Sequence, residues 1–366
     1  MRTTRQMPNE SSRTSIVKDK SFLTTLAASM LPFALWILKR FNENMYAATY
    51  FAAVFAIVVW GVTFASTRVL LEDFSSLEIL VLRFGIAWAA LWMWEMFSRI
   101  GRRPRRDRPS GGRRRDELLF AGMGFTGVAA YQFLENCAIY YTNASNIAIL
   151  VSFGPAVTAV VAKIFLKDRS LSLRFILGSA VAVCGVTCVS LNGIAVLELR
   201  PIGDLMALCA MLSWGVYSLL VDVANRRGIP PALAIRKAFF WSLAMIAPVA
   251  AWGATESGFC AMDGSFSVNF NIEDNIKRFS SVCNWANLAF LGAVASAAGF
   301  ALWNCACKGL GVVKATVLLY LVPVAGVVFA VGFLGESVAP MGIAGGVLIV
   351  AGVAVAGREV KKEVGQ

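Results

Sequence analysis

Two charged side chains stand inside long apolar runs. Arg83 falls within residues 76–97 and Glu135 within 118–139. An arginine at mid-bilayer costs about 2.5–3.5 kcal/mol on insertion scales, so such a residue faces a bundle interior, a water-filled cavity or an opposite charge. Arg83 lies roughly 10 Å below one surface at 1.5 Å per residue. Glu135 lies at a similar depth in its own run, so the two can pair. Together they offer solute binding or gating through the arginine and proton coupling through the acid; the competing reading is a structural clamp between two helices. Asn136 and Asn304 are amides within apolar runs and need hydrogen-bond partners in lipid. Trp60, Trp214 and Tyr217 supply aromatic walls, and Tyr131 and Tyr320 supply hydroxyls. That set suits a small amphipathic solute, although ordinary helix packing would also use it. Arg236 opens a further run near its end, where a clamp is the favoured reading. Pro155 and Pro323 each remove a backbone donor inside a run, which marks kinks that line a cavity or are absorbed by neighbours.

Much other chemistry is excluded. The chain has no histidine, which removes histidine bases, metal ligands and pH switches. Its eight cysteines include no CxxC pair, and most lie in apolar runs where they behave as small hydrophobes. Cys260 and Cys283 flank a polar loop and would pair only in an oxidising compartment; two free thiols is the favoured reading. No metal site or cofactor is expected. The absence of a GxxxxGK[ST] loop excludes an ATP-driven pump, and the lack of a nucleophile–base pair argues against an intramembrane enzyme.

The elements that must position these residues follow from composition. With 58% hydrophobic and 15% charged residues over 366, the chain carries more apolar surface than a soluble core could hide. Ten runs have spanning length: 46–66, 76–97, 118–139, 146–166, 173–192, 203–221, 233–252, 284–304, 313–334 and 340–357. The connections alternate in charge. Nine arginines fill 99–115, and Lys167, Arg169, Arg174, Arg226, Arg227, Lys308, Arg358, Lys361 and Lys362 fall on the same side. Acidic or neutral loops fall on the other. Positive-inside counting therefore places both termini in the cytoplasm. The arginine run reads as a topology determinant that touches anionic lipid rather than nucleic acid, because no aromatic residues interleave with it. Residues 21–40 are apolar but short and broken by Pro32, and read as an interfacial or dispensable extension; an extra span would invert the charge pattern, and Met45 is an alternative start.

The chain also repeats itself. Trp60-Gly61 matches Trp214-Gly215, and Arg83 with Trp88 matches Arg236 with Trp241. Asn136-Cys137-Ala138 matches Asn304-Cys305-Ala306, and Pro155 matches Pro323, each 168 residues on. Gly178 and Gly185 match Gly345 and Gly352, and the loop 253–283 absorbs the difference in spacing. Five spans per half is an odd number, so the second half enters the membrane inverted. Inverted repeats are a common way to build two exchangeable gates around one central site.

The segments FAAVFAIVVWGVTFASTRVLL and LEILVLRFGIAWAAL resemble the first two spans of EamA-type members of the drug/metabolite transporter superfamily. WNCACKGLGVVKATVLLYLVPVAGVVFAVGFLGESVAPMGIAGGVLIVAGV resembles the last three, so the likeness covers about residues 46–357. Where the family motif has glutamate after the fourth span, this chain has Asp168. The resemblance implies an all-α integral membrane protein of ten transmembrane helices in two inverted-topology five-helix repeats, 46–192 and 193–357, with an extension 1–45 and a tail 358–366. It implies secondary transport of small organic metabolites, amino-acid-like solutes among them, by alternating access in a bacterial inner membrane; a homodimer is admitted. The first span holds no acid, so drug–proton antiport on the model of the small multidrug-resistance relatives is not supported. The alternative is a membrane scaffold or sensor that docks partners through 99–115 without solute flux.

Overall fold

Apolar runs of this length become helices because, in lipid, a helix bonds its own backbone groups. The computed structural model describes residues 45–99, 113–141, 144–166, 172–191, 200–253, 272–334 and 338–357, and no strand occurs among them. The helices run in the order α1 Met45–Leu70, α2 Ser76–Arg99, α3 Arg113–Met123, α4 Tyr131–Tyr141, α5 Ala144–Val151, α6 Gly154–Leu166, α7 Leu173–Leu191 and α8 Pro201–Arg226. They continue as α9 Pro231–Gly253, α10 Ile272–Ser280, α11 Val282–Ala289, α12 Gly299–Leu310, α13 Val312–Val317, α14 Val322–Leu334 and α15 Pro340–Gly357. Among the described residues, seven stretches are long and apolar enough to cross a membrane by length and composition: Leu77–Phe97, Ile147–Phe165, Leu173–Leu191, Pro201–Arg226, Val282–Leu310, Val312–Phe329 and Pro340–Gly357. Ala47–Thr63 is apolar but shorter. Gln132 and Glu135 dilute the expected third run, and Arg236 and Lys237 dilute the seventh, which lowers their mean hydropathy.

Two rods depart from α geometry at matching places. A π-helical segment Gly124–Ala130 joins α3 to α4, and another, Phe290–Ala298, joins α11 to α12. Their last residues are 168 apart, the spacing of the Asn136/Asn304 pair. A turn at Ser152–Phe153 separates α5 from α6, and a 3-10 turn Leu318–Leu321 separates α13 from α14. Pro155 and Pro323 are each the second residue after these breaks, in the first helical turn where a missing donor is tolerated.

Glycines set the closest helix crossings. A Cβ on Gly185 would lie 2.6 Å from the Gly345 carbonyl and 2.7 Å from the Ile349 amide; one on Gly345 would lie 2.6 Å from the Gly185 carbonyl and 2.8 Å from the Val189 amide. Gly178 and Gly352 oppose one another in the same way, at 2.7 and 2.6 Å from each other's carbonyls. Numbers rise along α7 as their partners fall along α15, so this pair is antiparallel. A shift of 167 residues converts Gly178 to Gly345, Ala182 to Ile349, Gly185 to Gly352 and Val189 to Ala356, and so maps the contact set onto itself. Elsewhere, Gly61 on α1 seats against Ala325 and Gly326 on α14, and Gly215 on α8 against Val157, Thr158 and Val161 on α6.

Polar contacts gather at the two ends of the bundle. At one end, Lys237 and Trp241 on α9 bond Glu117 on α3 at 2.6 and 3.1 Å, Arg227 pairs with Asp116 at 2.9 Å, and Arg236 pairs with Glu95 at 2.8 Å. At the other end, Arg278 on α10 grips the Glu78 carboxylate at 2.8 and 2.9 Å.

Candidate functional site

Between these ends, α1, α4, α8 and α12 bring six aromatic rings together. Trp60 lies 6.1 Å from Trp214, 5.3 Å from Phe300 and 5.5 Å from Trp303, ring centre to ring centre. Trp214 lies 5.3 Å from Tyr131 and 5.2 Å from Tyr217. Most pairs are edge-on or tilted, the arrangement that aromatic quadrupoles prefer. Close approach depends on small residues: a Cβ on Gly127 would collide with the Tyr217 ring, and one on Gly299 would come within 3.1 Å of the Trp60 indole nitrogen.

The π-helical segments supply carbonyls to this cluster. A π turn shifts the backbone hydrogen-bond register, and one carbonyl of each segment accepts from a neighbouring helix. The Trp60 indole donates to the Ala295 carbonyl at 3.1 Å, and Ser213 on α8 donates to the Thr126 carbonyl at 2.8 Å. The Tyr217 hydroxyl donates to Asn304 Oδ1 at 2.9 Å. Two buried donors in the same cluster, Trp214 Nε1 and Asn304 Nδ2, meet no acceptor among the described residues. A buried donor without a partner costs about 1–3 kcal/mol, so each of these two would gain from an acceptor brought to it.

Beside the rings runs a chain of charge. Arg83 is 8% exposed, donates from Nε to Ser296 Oγ at 3.0 Å and lies 5.3 Å from the Phe84 ring centre. The Glu135 carboxylate attracts it electrostatically, and Tyr131 donates to Glu135 Oε1 at 3.2 Å. Tyr131 thus links Glu135 to the aromatic cluster through Trp214.

The structure brings Trp60, Arg83, Tyr131, Glu135, Trp214, Tyr217 and Asn304 into one region. It does not bring in Arg236, whose partner is Glu95, or Tyr320, which is buried among Ala159, Phe175, Ala182 and Ile349. Asn136 lies on α4, but its side chain falls outside the described residues, as do Cys260 and most of the arginine run. Sequence reasoning missed Ser296, Phe300, Trp303 and both π segments. The small-residue runs GFTGVAA and FLGAVASAA were the available signal, since Gly124, Ala129 and Ala130 recur as Gly292, Ala297 and Ala298. Among the described residues, no cluster of three or more acidic or cysteine side chains could hold a metal ion.

The model of the EamA-like transporter family matches residues 47–191 and again 201–358. A probable terminal-alkyne amino-acid exporter of Streptantibioticus cattleyicolor is 28% identical over 305 residues, covering 82% of this chain and 91% of its own. A probable amino-acid metabolite efflux pump of Salmonella typhimurium is 25% identical over 309 residues, covering 82% and 92%. An uncharacterized Bacillus subtilis transporter, YyaM, is 24% identical and covers 80% and 88%. A protein of known crystal structure superposes with a TM-score of 0.64 at 18% identity, over 85% of this chain and 97% of its own, and so shares the fold.

Proposed function

The chain belongs to the EamA-like transporter family, and from that premise we propose that it exports or exchanges amino-acid-like metabolites by alternating access between two inverted five-helix repeats, 46–192 and 193–357. It is an integral membrane transporter of the drug/metabolite type and not an enzyme. The observation that carries the proposal is the central cluster of opposite charges, aromatic walls and unpartnered donors. Arg83, Trp214 Nε1 and Asn304 Nδ2 present donors to a carboxylate, while Glu135 presents an acceptor to an ammonium group. Trp60, Phe300 and Trp303 supply the apolar surface against which the solute's side chain would pack. The two relatives named for amino-acid export support this substrate class.

Inversion is supported by the α7–α15 crossing. A pseudo-two-fold axis lying in the membrane plane would exchange Gly178 with Gly345 and Gly185 with Gly352 while preserving each contact, as observed. The Gly61–Gly326 and Gly215–Thr158 contacts are repeat-related in the same way. The two matched breaks per half give each repeat the same bendable points. Loop charge supports an orientation with both termini, the 1–45 extension and the 358–366 tail on the cytoplasmic side of a bacterial inner membrane. Glu135 is then the proton-coupling group, because a solute ammonium and a proton compete for the same carboxylate.

The test is exchange of a panel of radiolabelled L-amino acids in proteoliposomes, with and without a pH gradient. The unmodified chain exchanges part of the panel, and Arg83→Ala abolishes that flux while the protein remains folded by size exclusion. Flux unchanged in Arg83→Ala would overturn the site. Flux equally driven by a pH gradient in Glu135→Gln would overturn the coupling role.

A further inference from the structure

We propose that Glu78 and Arg278 form the outer gate of this transporter, a buried latch that must release before solute can leave on the acidic-loop side. The proposal rests on the alternating-access reading and adds to it which face is held shut, and by what. Both side chains are only 8% exposed, and the guanidinium grips both carboxylate oxygens, a paired geometry that satisfies two donors at once. The surroundings complete the latch. Arg278 also donates to the Asp73 carbonyl at 3.3 Å and lies 4.8 Å from the Phe74 ring centre and 5.5 Å from that of Phe279. Asn284 bonds Asp73 Oδ2 and the Arg278 carbonyl, both at 2.8 Å, and Glu78 Oε2 accepts from the Ser75 amide at 2.8 Å.

Three observations make this a gate rather than a general clamp. First, Arg278 belongs to α10, within the loop that lengthens the second half relative to the first, so the latch has been added to one face of a repeated scaffold. Second, the charged contacts at the opposite end are wetter: Lys237 and Glu117 are 33% and 32% exposed, and Arg227 and Asp116 are 40% and 25% exposed. Exposed pairs hold little against competing water, whereas a desolvated pair that loses one partner leaves an uncompensated charge. The resting protein is therefore closed on the α10 side. Third, the latch leads to the binding centre. Glu78 and Arg83 sit little more than one turn apart on α2, and both bond the strand of structure that runs through α10, α11 and the second π segment, Glu78 at Arg278 and Arg83 at Ser296. Ser66 on α1 bonds Asn287 between them at 2.7 Å. A solute that takes the Arg83 guanidinium away from Ser296 loosens the same α2 contact that the latch closes.

The test uses the full chain carrying Glu78→Cys and Arg278→Cys, reconstituted in proteoliposomes, with exchange of the L-amino-acid panel measured after oxidation and again after reduction. Cross-linking is expected, with exchange falling about tenfold or more and returning on reduction; each single cysteine variant controls for the native thiols. A cross-linked chain that exchanges at its reduced rate would overturn the gate, and so would a folded chain that does not cross-link. A second arm places Ser66→Cys in a chain whose eight native cysteines are replaced, with an impermeant thiol reagent applied from each side. Glu78→Gln is expected to raise labelling from the α10 side about tenfold or more. Unchanged labelling from both sides overturns the gate even if no flux is found for any chain, and absent flux in the unmodified chain counts against the transport reading instead. Increased labelling only from the opposite side refutes the latch as an outer gate.

Discussion

A methyl group added at Gly185 or Gly345 strikes backbone, which cannot rotate away. The new Cβ would lie 2.6 Å from the partner helix's carbonyl, about 0.8 Å short of the 3.4 Å at which ordinary contact begins. Moving the helices apart by 0.5–1 Å forfeits roughly a quarter to a half of the dispersion well for every atom pair along the seam. Without a hydrophobic force between helices in lipid, that packing is much of what holds them. Gly185→Ala and Gly345→Ala should each destabilise the protein by about 1–3 kcal/mol, the range of overpacked cores. Because one methyl already separates the helices, the double variant should lose less than the two losses added together. Gly346→Ala is the control, since nothing lies within 4 Å of its would-be Cβ. Unfolding by dodecyl sulfate in maltoside micelles, followed by circular dichroism, would read all four chains. Single variants as stable as Gly346→Ala, or a double variant with an additive loss, would refute the glycine-crossing argument.

Tyr217→Phe removes the hydroxyl that bonds Asn304 and leaves the amide with neither end paired, so it should lower stability by about 1–3 kcal/mol and slow solute exchange; in Asn304→Leu the same tyrosine change should have a different effect in a double-mutant cycle, and equal effects would show that the two are not coupled. Trp60→Phe keeps an aromatic ring but strips the donor from the Ala295 carbonyl, with an expected loss of about 1 kcal/mol in the same unfolding assay; no loss would mean that the π-segment carbonyl finds another donor. Glu117→Gln breaks the Lys237 pair at a site one-third exposed, so the stability change should stay below about 1 kcal/mol, and a larger one would mean that this end of the bundle is drier than its exposure implies.

The all-helical architecture was legible because lipid asks little of a helix beyond length and apolarity. The repeat was legible because its markers, Trp60-Gly61 with Trp214-Gly215 and Asn136-Cys137-Ala138 with Asn304-Cys305-Ala306, recur in the same order in both halves. The π segments were not, since a π turn changes the hydrogen-bond register while leaving the apolar pattern almost intact. Phe300 and Trp303 carry no mark that separates them from the other aromatics of a chain with 25 phenylalanines and 10 tryptophans. The Glu78–Arg278 latch joins residues 200 positions apart, and only the folded α10 reveals it. Arg236 looked equivalent to Arg83 by repeat alone, yet the helix end where it lies offers Glu95 and partial access to water, so its charge is met there.

That last contrast extends to the centre of the molecule, where the two halves share a scaffold but not a chemistry. Trp60 and Trp214 are repeat equivalents, and so are Ala295 and Gly127 on the two π segments. The Trp60 indole reaches the Ala295 carbonyl, yet Trp214 finds no acceptor among the described residues. The two indoles also differ in a neighbour. Where the first half has Thr63, whose hydroxyl folds back to the Trp60 carbonyl at 2.6 Å, the second half has Tyr217. The Tyr217 ring lies directly against Gly127, 2.2 Å from where a Cβ would stand, and 5.2 Å from the Trp214 ring centre. A larger residue than glycine at position 127 would exclude that ring. Repetition therefore builds two equivalent indoles beside different neighbours, Thr63 in one half and Tyr217 in the other, and one indole keeps its donor unspent. A symmetric centre would satisfy both indoles; the departure from symmetry leaves Trp214 with a donor that the proposed solute carboxylate would meet.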